Sequence, residues 1–184
     1  MGGHLDQPEL HTPRLRLREF RMDDAPVLFA IHSDPQVMRY WSYPAWTEMA
    51  QAERKVADIL RQRREDGLLV WAICDATGDR LLGSCAVFDI RPEQGRAEIG
   101  YSLHRDWHGR GLASEALRAV LHYLFDGLGL RRIEADTDPR NTPSRRVLEK
   151  LGFVHEGLLR QRWDVNGELC DTALYGLLRR EFVG

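Results

Sequence analysis

Polar and apolar residues alternate through Arg14-Leu15-Arg16-Leu17-Arg18-Glu19-Phe20, the period of a half-buried strand. Asp23 or Asp24 then offers a cap for a short helix reaching Ile31, with Pro26 in its first turn. Thr47 opens a longer, charge-rich helix to about Glu65. Three strands are expected in quick succession, over residues 69–74, 81–90 and 96–103. The segments between them, Asp75-Ala76-Thr77-Gly78-Asp79 and Arg91-Pro92-Glu93-Gln94-Gly95, have the composition of tight turns, so the three form an antiparallel meander. A long helix follows from about Gly111 to Phe125, with Leu117, Val120, Leu121, Leu124 and Leu128 at helical spacing, and residues 132–137 read as a strand. Strand, helix, strand at this length implies a parallel pair with a right-handed crossover. Thr142 is a plausible helix cap with Pro143 at the first helical position, and Gly152 is a stop. Two last strands, 153–163 and 169–178, meet at Asn166-Gly167, the strongest hairpin signal in the chain. The expected fold is α/β with a mixed (α+β) sheet: antiparallel arms flanking one parallel crossover.

At 184 residues, with 43% apolar and 29% charged positions, the chain reads as one globular domain over residues 1–184, with 1–11 expected to fray. A net charge of −2 and scattered basic pairs, Arg63-Arg64, Arg131-Arg132, Arg145-Arg146 and Arg179-Arg180, argue against a nucleic-acid partner. No apolar run approaches the roughly 18 residues of a membrane span. Cys74, Cys85 and Cys170 lie far apart, which suggests reduced thiols and the cytoplasm. His104 and His108 have helix-like metal spacing in an irregular segment without a third ligand, so no metal is expected. Gly83-Ser84-Cys85 does not continue into a nucleophile elbow, which argues against a covalent acyl-enzyme.

The segment Trp107-His108-Gly109-Arg110-Gly111-Leu112-Ala113-Ser114-Glu115-Ala116-Leu117 joins a strand to a helix. Its small residues bare consecutive N–H groups at a helix N-terminus, which suits a pyrophosphate; glycines that merely permit the turn are the plainer reading. Gly109-x-Gly111-x-x-Ser114, with Asp136 about 20 residues on, brushes against the dinucleotide fingerprint. Residues 104–108 separate it from its strand, however, and repeated strand–helix units are missing.

With Ala97-Glu98-Ile99-Gly100-Tyr101-Ser102-Leu103 ahead of this segment and Asn141-x-x-Ser144-x-x-Val147-Leu148-Glu149-Lys150-Leu151-Gly152-Phe153 behind it, the chain resembles the GNAT acetyltransferases. It is most similar to the group that acetylates ribosomal-protein N-termini, which Thr12-Pro13-Arg14-Leu15-Arg16-Leu17-Arg18 and Asp171-x-x-Leu174-Tyr175 also resemble. The resemblance implies a GNAT-like fold with a splayed parallel pair, and acetyl-CoA as cosubstrate. It places the pyrophosphate loop on His108-x-x-Gly111-x-Ala113, with Gly109, Arg110, Leu112 and Ser114 beside it. His108 stands where the family has Gln or Arg. Leu103 and its neighbours would pair with the pantetheine arm like an added strand, and Asn141 would hydrogen-bond that arm, or else serve only helix-start turn chemistry.

Acetyl transfer needs a neutral amine, a donor for the developing oxyanion and a proton for the leaving thiolate. Leu148 stands where the family often carries a tyrosine acid. The resemblance suggests Ser144 as the substitute, donating a proton or only a hydrogen bond to the sulfur. Strand alternation puts Glu98, Gly100 and Ser102 on one face and Ile99, Tyr101 and Leu103 on the other. Glu98 is therefore the candidate base, against the bland alternative of a solvated strand carboxylate. Tyr40 and Trp41, in the region that walls the acceptor cleft in this family, would stack on a ligand or pack the helices. Direct attack in a ternary complex on a protein N-terminal α-amine is the favoured reading. A small-molecule amine such as an amino sugar or polyamine, a non-catalytic CoA sensor and a homo-oligomeric assembly stay open.

Overall fold

The computed structural model describes residues 6–62 and 68–184. Eight strands form one sheet in the order β1-β2-β3-β4-β5-β6-β8-β7. They are β1 (Leu10–His11), β2 (Leu15–Glu19), β3 (Leu69–Asp75), β4 (Leu81–Arg91), β5 (Arg96–Leu103), β6 (Arg132–Thr137), β7 (Val154–Val165) and β8 (Glu168–Leu178). All neighbours are antiparallel except β5 and β6. The expected mixed sheet with one parallel crossover is therefore the observed one. Asn166 and Gly167 both take positive φ (52° and 86°), the conformation a two-residue hairpin needs between β7 and β8.

Helices cover the sheet on both faces. α1 (Ala25–Ser33) and α3 (Met49–Gln62) bury Ala25, Leu28, Ala52, Val56 and Ile59 with Val70, Ala72, Cys74 and Leu81. On the opposite face α4 (Leu112–His122) and α5 (Thr142–Lys150) bury Leu117, Val120, Leu121 and Leu148 with Trp71, Val87, Ile99 and Ile133. A four-residue α2 (Pro35–Met38), capped by Asp34 accepting from the Gln36 N–H, and a π turn over Tyr123–Gly127 after α4 carry no clear signal in the sequence. The expected end of α3 near Glu65 lies outside the described residues.

Three expectations need correction. The first eleven residues do not fray as a block. Gln7 is buried and makes both amide hydrogen bonds to the Val70 backbone, the Pro8 carbonyl accepts from the Trp71 indole, and β1 pairs with β2. Residues 1–5 lie outside the described set. The α5 cap is Asn141 rather than Thr142, its side chain accepting from the Ser144 N–H at 3.2 Å. Asp24 precedes α1 but does not cap it with its side chain, because the carboxylate is engaged elsewhere.

That engagement ties the second layer together. Arg18, 4% exposed, donates from both terminal nitrogens to Asp24 at 2.8 and 2.9 Å and from Nε to Asp79 at 2.7 Å. Asp24 also accepts the Arg21 N–H. Removing one partner of a buried pair strands the other. Asp24→Ala is expected to cost about 3 kcal/mol, read as a lower urea midpoint at unchanged slope. A loss within measurement error would mean that Asp79 alone satisfies Arg18.

Candidate active site

The parallel pair β5–β6 is in register only over Arg96↔Arg132, Ala97↔Ile133 and Glu98↔Glu134. Beyond it each strand follows its antiparallel partner, β5 along β4 to Leu103 and β6 along β8 to Thr137, and the two diverge. The closed end is held by the Gly95 carbonyl accepting from the Arg131 and Arg132 N–H groups, and by Arg96 with Glu134 at 3.1 Å. At the open end the His104 N–H donates to the Leu82 carbonyl. Alternation then turns the backbone groups of Leu103 and Tyr101 away from β4, toward the wedge. A cleft of about 370 Å³ opens there, lined by residues of both faces: Phe88, Glu98, Gly100, Tyr101, Asp136, Asp138, Asn141, Ser144, Leu148, Arg162, Trp163, Asp171 and the segment Tyr40-Trp41-Ser42.

Glu98 sits half-buried at the fork. Burial first, then the neighbouring Asp136 charge, pushes its carboxyl up to about 7; Arg162 acts in the opposite sense. Burial raises the Asp136 carboxyl as well. Arg162 and Trp163 are adjacent, yet both line the cleft. The β7–β8 register slips between Leu159 and Trp163, and Gln161, at φ 50°, donates its N–H to Asp171. Such a bulge re-aims side chains that regular alternation would send to opposite faces.

On the other wall, Asn141 holds the Ser144 N–H, so the turn role is observed for its Oδ1 and its amide donor is what remains for a ligand. The Ser144 hydroxyl lies 3.0 Å from the Tyr101 hydroxyl. Burial pushes Tyr101 up to about 12, so it stays protonated at neutral pH and can donate. Leu148 is buried beneath them. Sequence reasoning missed Tyr101, Arg162 and Asp171 as cleft residues and saw Asp136 only as a ribose ligand. The Tyr101 contact depends on α5 folding over β5, and no local spacing signals it.

The loop expected to hold a pyrophosphate has an open backbone. The N–H groups of residues 109–114 (Gly109, Arg110, Gly111, Leu112, Ala113 and Ser114) find no acceptor among the described residues. Gly109 and Gly111 take φ of 72° and 75°. A Cβ at Gly111 would meet only Arg14 Nη2, at 3.6 Å, so conformation rather than crowding demands glycine there. Six unpaired donors at the start of an eleven-residue helix make an anion cradle, and this fits a pyrophosphate. His108 lies under the loop, its Nε2 donating to the Leu103 carbonyl at 2.9 Å. That carbonyl, expected to pair with the pantetheine arm, therefore already accepts one hydrogen bond.

Tyr40 and Trp41 reach the cleft and also pack. Trp41 meets His32 edge-on at 5.2 Å, His32 stacks on Trp46 at 4.5 Å, and Arg39 and Arg140 lie over Tyr40. Of the two uses considered for these aromatics, packing is the one these contacts show. Among the described residues no group of three or more His, Cys, Asp or Glu is arranged to hold a metal, and no helix is long and apolar enough to cross a membrane.

Residues 14–154 match the acetyltransferase (GNAT) domain family. The chain is 40% identical to the "Uncharacterized N-acetyltransferase p20" of Bacillus licheniformis, over 95% of this chain and 98% of that one. It is 26% identical to the spermidine N(1)-acetyltransferase of Escherichia coli K12, over 96% and 91%. Among solved structures, Mycobacterium smegmatis RimJ in complex with CoA-disulfide superposes with a TM-score of 0.81 at 26% identity, covering 95% of this chain and 87% of that one. A splayed parallel pair, an anion cradle at the helix that follows β5 and family matches along nearly the whole chain agree: this chain belongs to the GNAT acetyltransferase family, whose members use acetyl-CoA.

Proposed function

We propose that the chain acetylates a protein N-terminal α-amine by direct attack on acetyl-CoA in a ternary complex, with Glu98 as the base. The observation that carries this reading is the half-buried Glu98 carboxylate, near pKa 7, at the fork of the cleft. Acetyl-CoA supplies the acetyl group as a thioester. The cradle of residues 109–114 would hold its pyrophosphate, the edge at Tyr101 and Leu103 its pantetheine arm, and the Asn141 amide would add a hydrogen bond. Tyr40 and Trp41 would wall the acceptor side. Ser144, itself held by Tyr101, would place a hydroxyl at the departing sulfur.

Proton affinities favour an α-amine. An α-amine near ~8 gives its proton to a base near 7 at little over 1 kcal/mol, whereas a lysine near ~10.4 costs about 4–5 kcal/mol. A second reading, a small polycationic amine, draws on Asp136, Asp138 and Asp171 lining the same cleft with Arg162. A thiol-release screen over peptide N-termini and small amines decides between them. Turnover on polyamines with none on peptides would overturn the first reading, and CoA binding without turnover on any amine would favour a sensor.

Three outcomes test the residues. Gly111→Asp should abolish the rise in melting temperature that CoA gives the wild type, since it puts a side chain and a negative charge in the cradle. An undiminished rise would remove the loop from cofactor binding.

Glu98→Gln should lower turnover several-fold at pH 7, with most of the loss recovered as pH approaches the amine's own pKa; parallel pH profiles would assign Glu98 to positioning. The raised carboxyl also has a stability consequence. Between about 4.5 and 7 the folded state keeps a proton that the unfolded chain releases, so Glu98 costs stability as pH rises through this window. Glu98→Gln should therefore melt higher than wild type at pH 8 and alike at pH 4. Equal melting at pH 8 would show Glu98 to be solvated.

Ser144→Ala should lower turnover about tenfold, roughly 1.4 kcal/mol of barrier, with little change in CoA affinity. Unchanged turnover on a good acceptor would remove the serine from the sulfur.

A further inference from the structure

The Thr12-Pro13-Arg14 segment has no part in the chemistry above, yet its polar groups converge on the phosphate loop. Thr12 Oγ1 donates to Glu115 Oε1 at 2.6 Å, and the Arg14 N–H donates to the same oxygen at 3.1 Å. Arg14 Nε donates to Glu115 Oε2 at 2.6 Å, and Nη1 to the carbonyl of Arg110 at 3.0 Å. Glu115 lies in the first turn of α4, and Arg110 immediately precedes Gly111, the N-cap residue of that helix. One guanidinium thus spans from the helix to the loop.

The contact with Arg110 has a consequence through the peptide plane. In a trans peptide the C=O of one residue and the N–H of the next point in opposite directions. Arg14, holding the Arg110 carbonyl on the side of the N-terminal strands, therefore turns the Gly111 N–H away from itself. A peptide next to glycine flips easily, because glycine accepts φ of either sign. The residue that permits the cradle also permits its collapse, so the cradle needs an outside hold.

We propose that Arg14, itself fixed by Glu115, is the positioning residue of the phosphate cradle, locking the Arg110–Gly111 peptide with its N–H turned toward the pyrophosphate of CoA. This rests on the reading of residues 109–114 as the pyrophosphate site. The effect is geometric. A lysine at position 14 keeps the charge but lacks the planar fork that reaches Glu115 and Arg110 together.

The test compares wild type, Arg14→Ala and Arg14→Lys with two acetyl donors, acetyl-CoA and S-acetylpantetheine, which has no pyrophosphate. One acceptor is used throughout, with CoA affinity measured by calorimetry. Both variants should bind CoA about tenfold more weakly, about 1.4 kcal/mol, and lose kcat/KM for acetyl-CoA to the same extent through KM. Their kcat/KM for S-acetylpantetheine should stay within about twofold of wild type, a selectivity that loss of folded structure would not produce. Equal losses on both donors would overturn the proposal and assign Arg14 to the fold. Full CoA affinity in Arg14→Lys would overturn it in favour of charge alone. If wild type itself does not prefer acetyl-CoA to S-acetylpantetheine, the pyrophosphate reading of the loop falls first, and the role of Arg14 with it.

Discussion

The divergence of β5 from β6 after Glu98 and Glu134 is the constraint on which the site depends. Each strand is committed along its length to an antiparallel partner, β4 for one and β8 for the other, so the parallel pairing ends where those partners draw apart. An interrupted ladder leaves backbone donors and acceptors unpaired inside a folded domain, a state that is costly unless water or a ligand meets them. Here the bare edge opens onto the cleft, where an extended ligand arm can complete it. The same fork removes Glu98 from full solvent and sets Asp136 beside it, and it lets α5 approach β5 closely enough for Ser144 to meet Tyr101.

The cleft sustains an electrostatic tension that a stability-optimised sheet would avoid. Glu98 and Asp136 are both raised by burial, and Arg162, brought in by the bulge in β7, opposes the shift of each. A fully exposed Glu98 would be a weak base at neutral pH, and a fully paired one weaker still. Partial burial with partial compensation leaves the Glu98 carboxyl near 7, the range that its proposed role as base requires. The phosphate loop follows a similar logic. Two glycines with positive φ expose six donors, and the shape that results is braced from the turn before β4, through Arg80 over Trp107, and from the turn between β1 and β2, through Arg14 on Arg110.

Much of the fold is legible in the chain because the signals are local. Alternation at Arg14–Phe20, helical spacing from Leu117 to Leu128 and the Asn166-Gly167 turn each report a short-range preference that the final packing keeps, and β5 and β6 fall on the expected residues. The order Glu98, Gly109–Ser114, Asn141, Ser144 along the chain was enough to bring the wedge, cradle and second helix into one expectation. Errors fell on which partner each side chain takes. Asp24 lost its capping role to Arg18, and Gln7 and Pro8 are held by Val70 and Trp71, more than sixty positions away.

By itself, then, the sequence determined most of the elements, their order and the cleft candidates Glu98, Asn141 and Ser144, because those follow from local periodicity, turn chemistry and a chain-wide family pattern. Tertiary structure alone decided what each side chain faces. The partial burial that brings Glu98 to about 7, the meeting of Tyr101 with Ser144, the bulge that swings Arg162 and Trp163 into the cleft, and the grip of Arg14 on the Arg110 carbonyl all join residues far apart in sequence. Desolvation and hydrogen-bond geometry depend on what surrounds a group in space, and that environment exists only once the sheet and its two helical layers have closed around it.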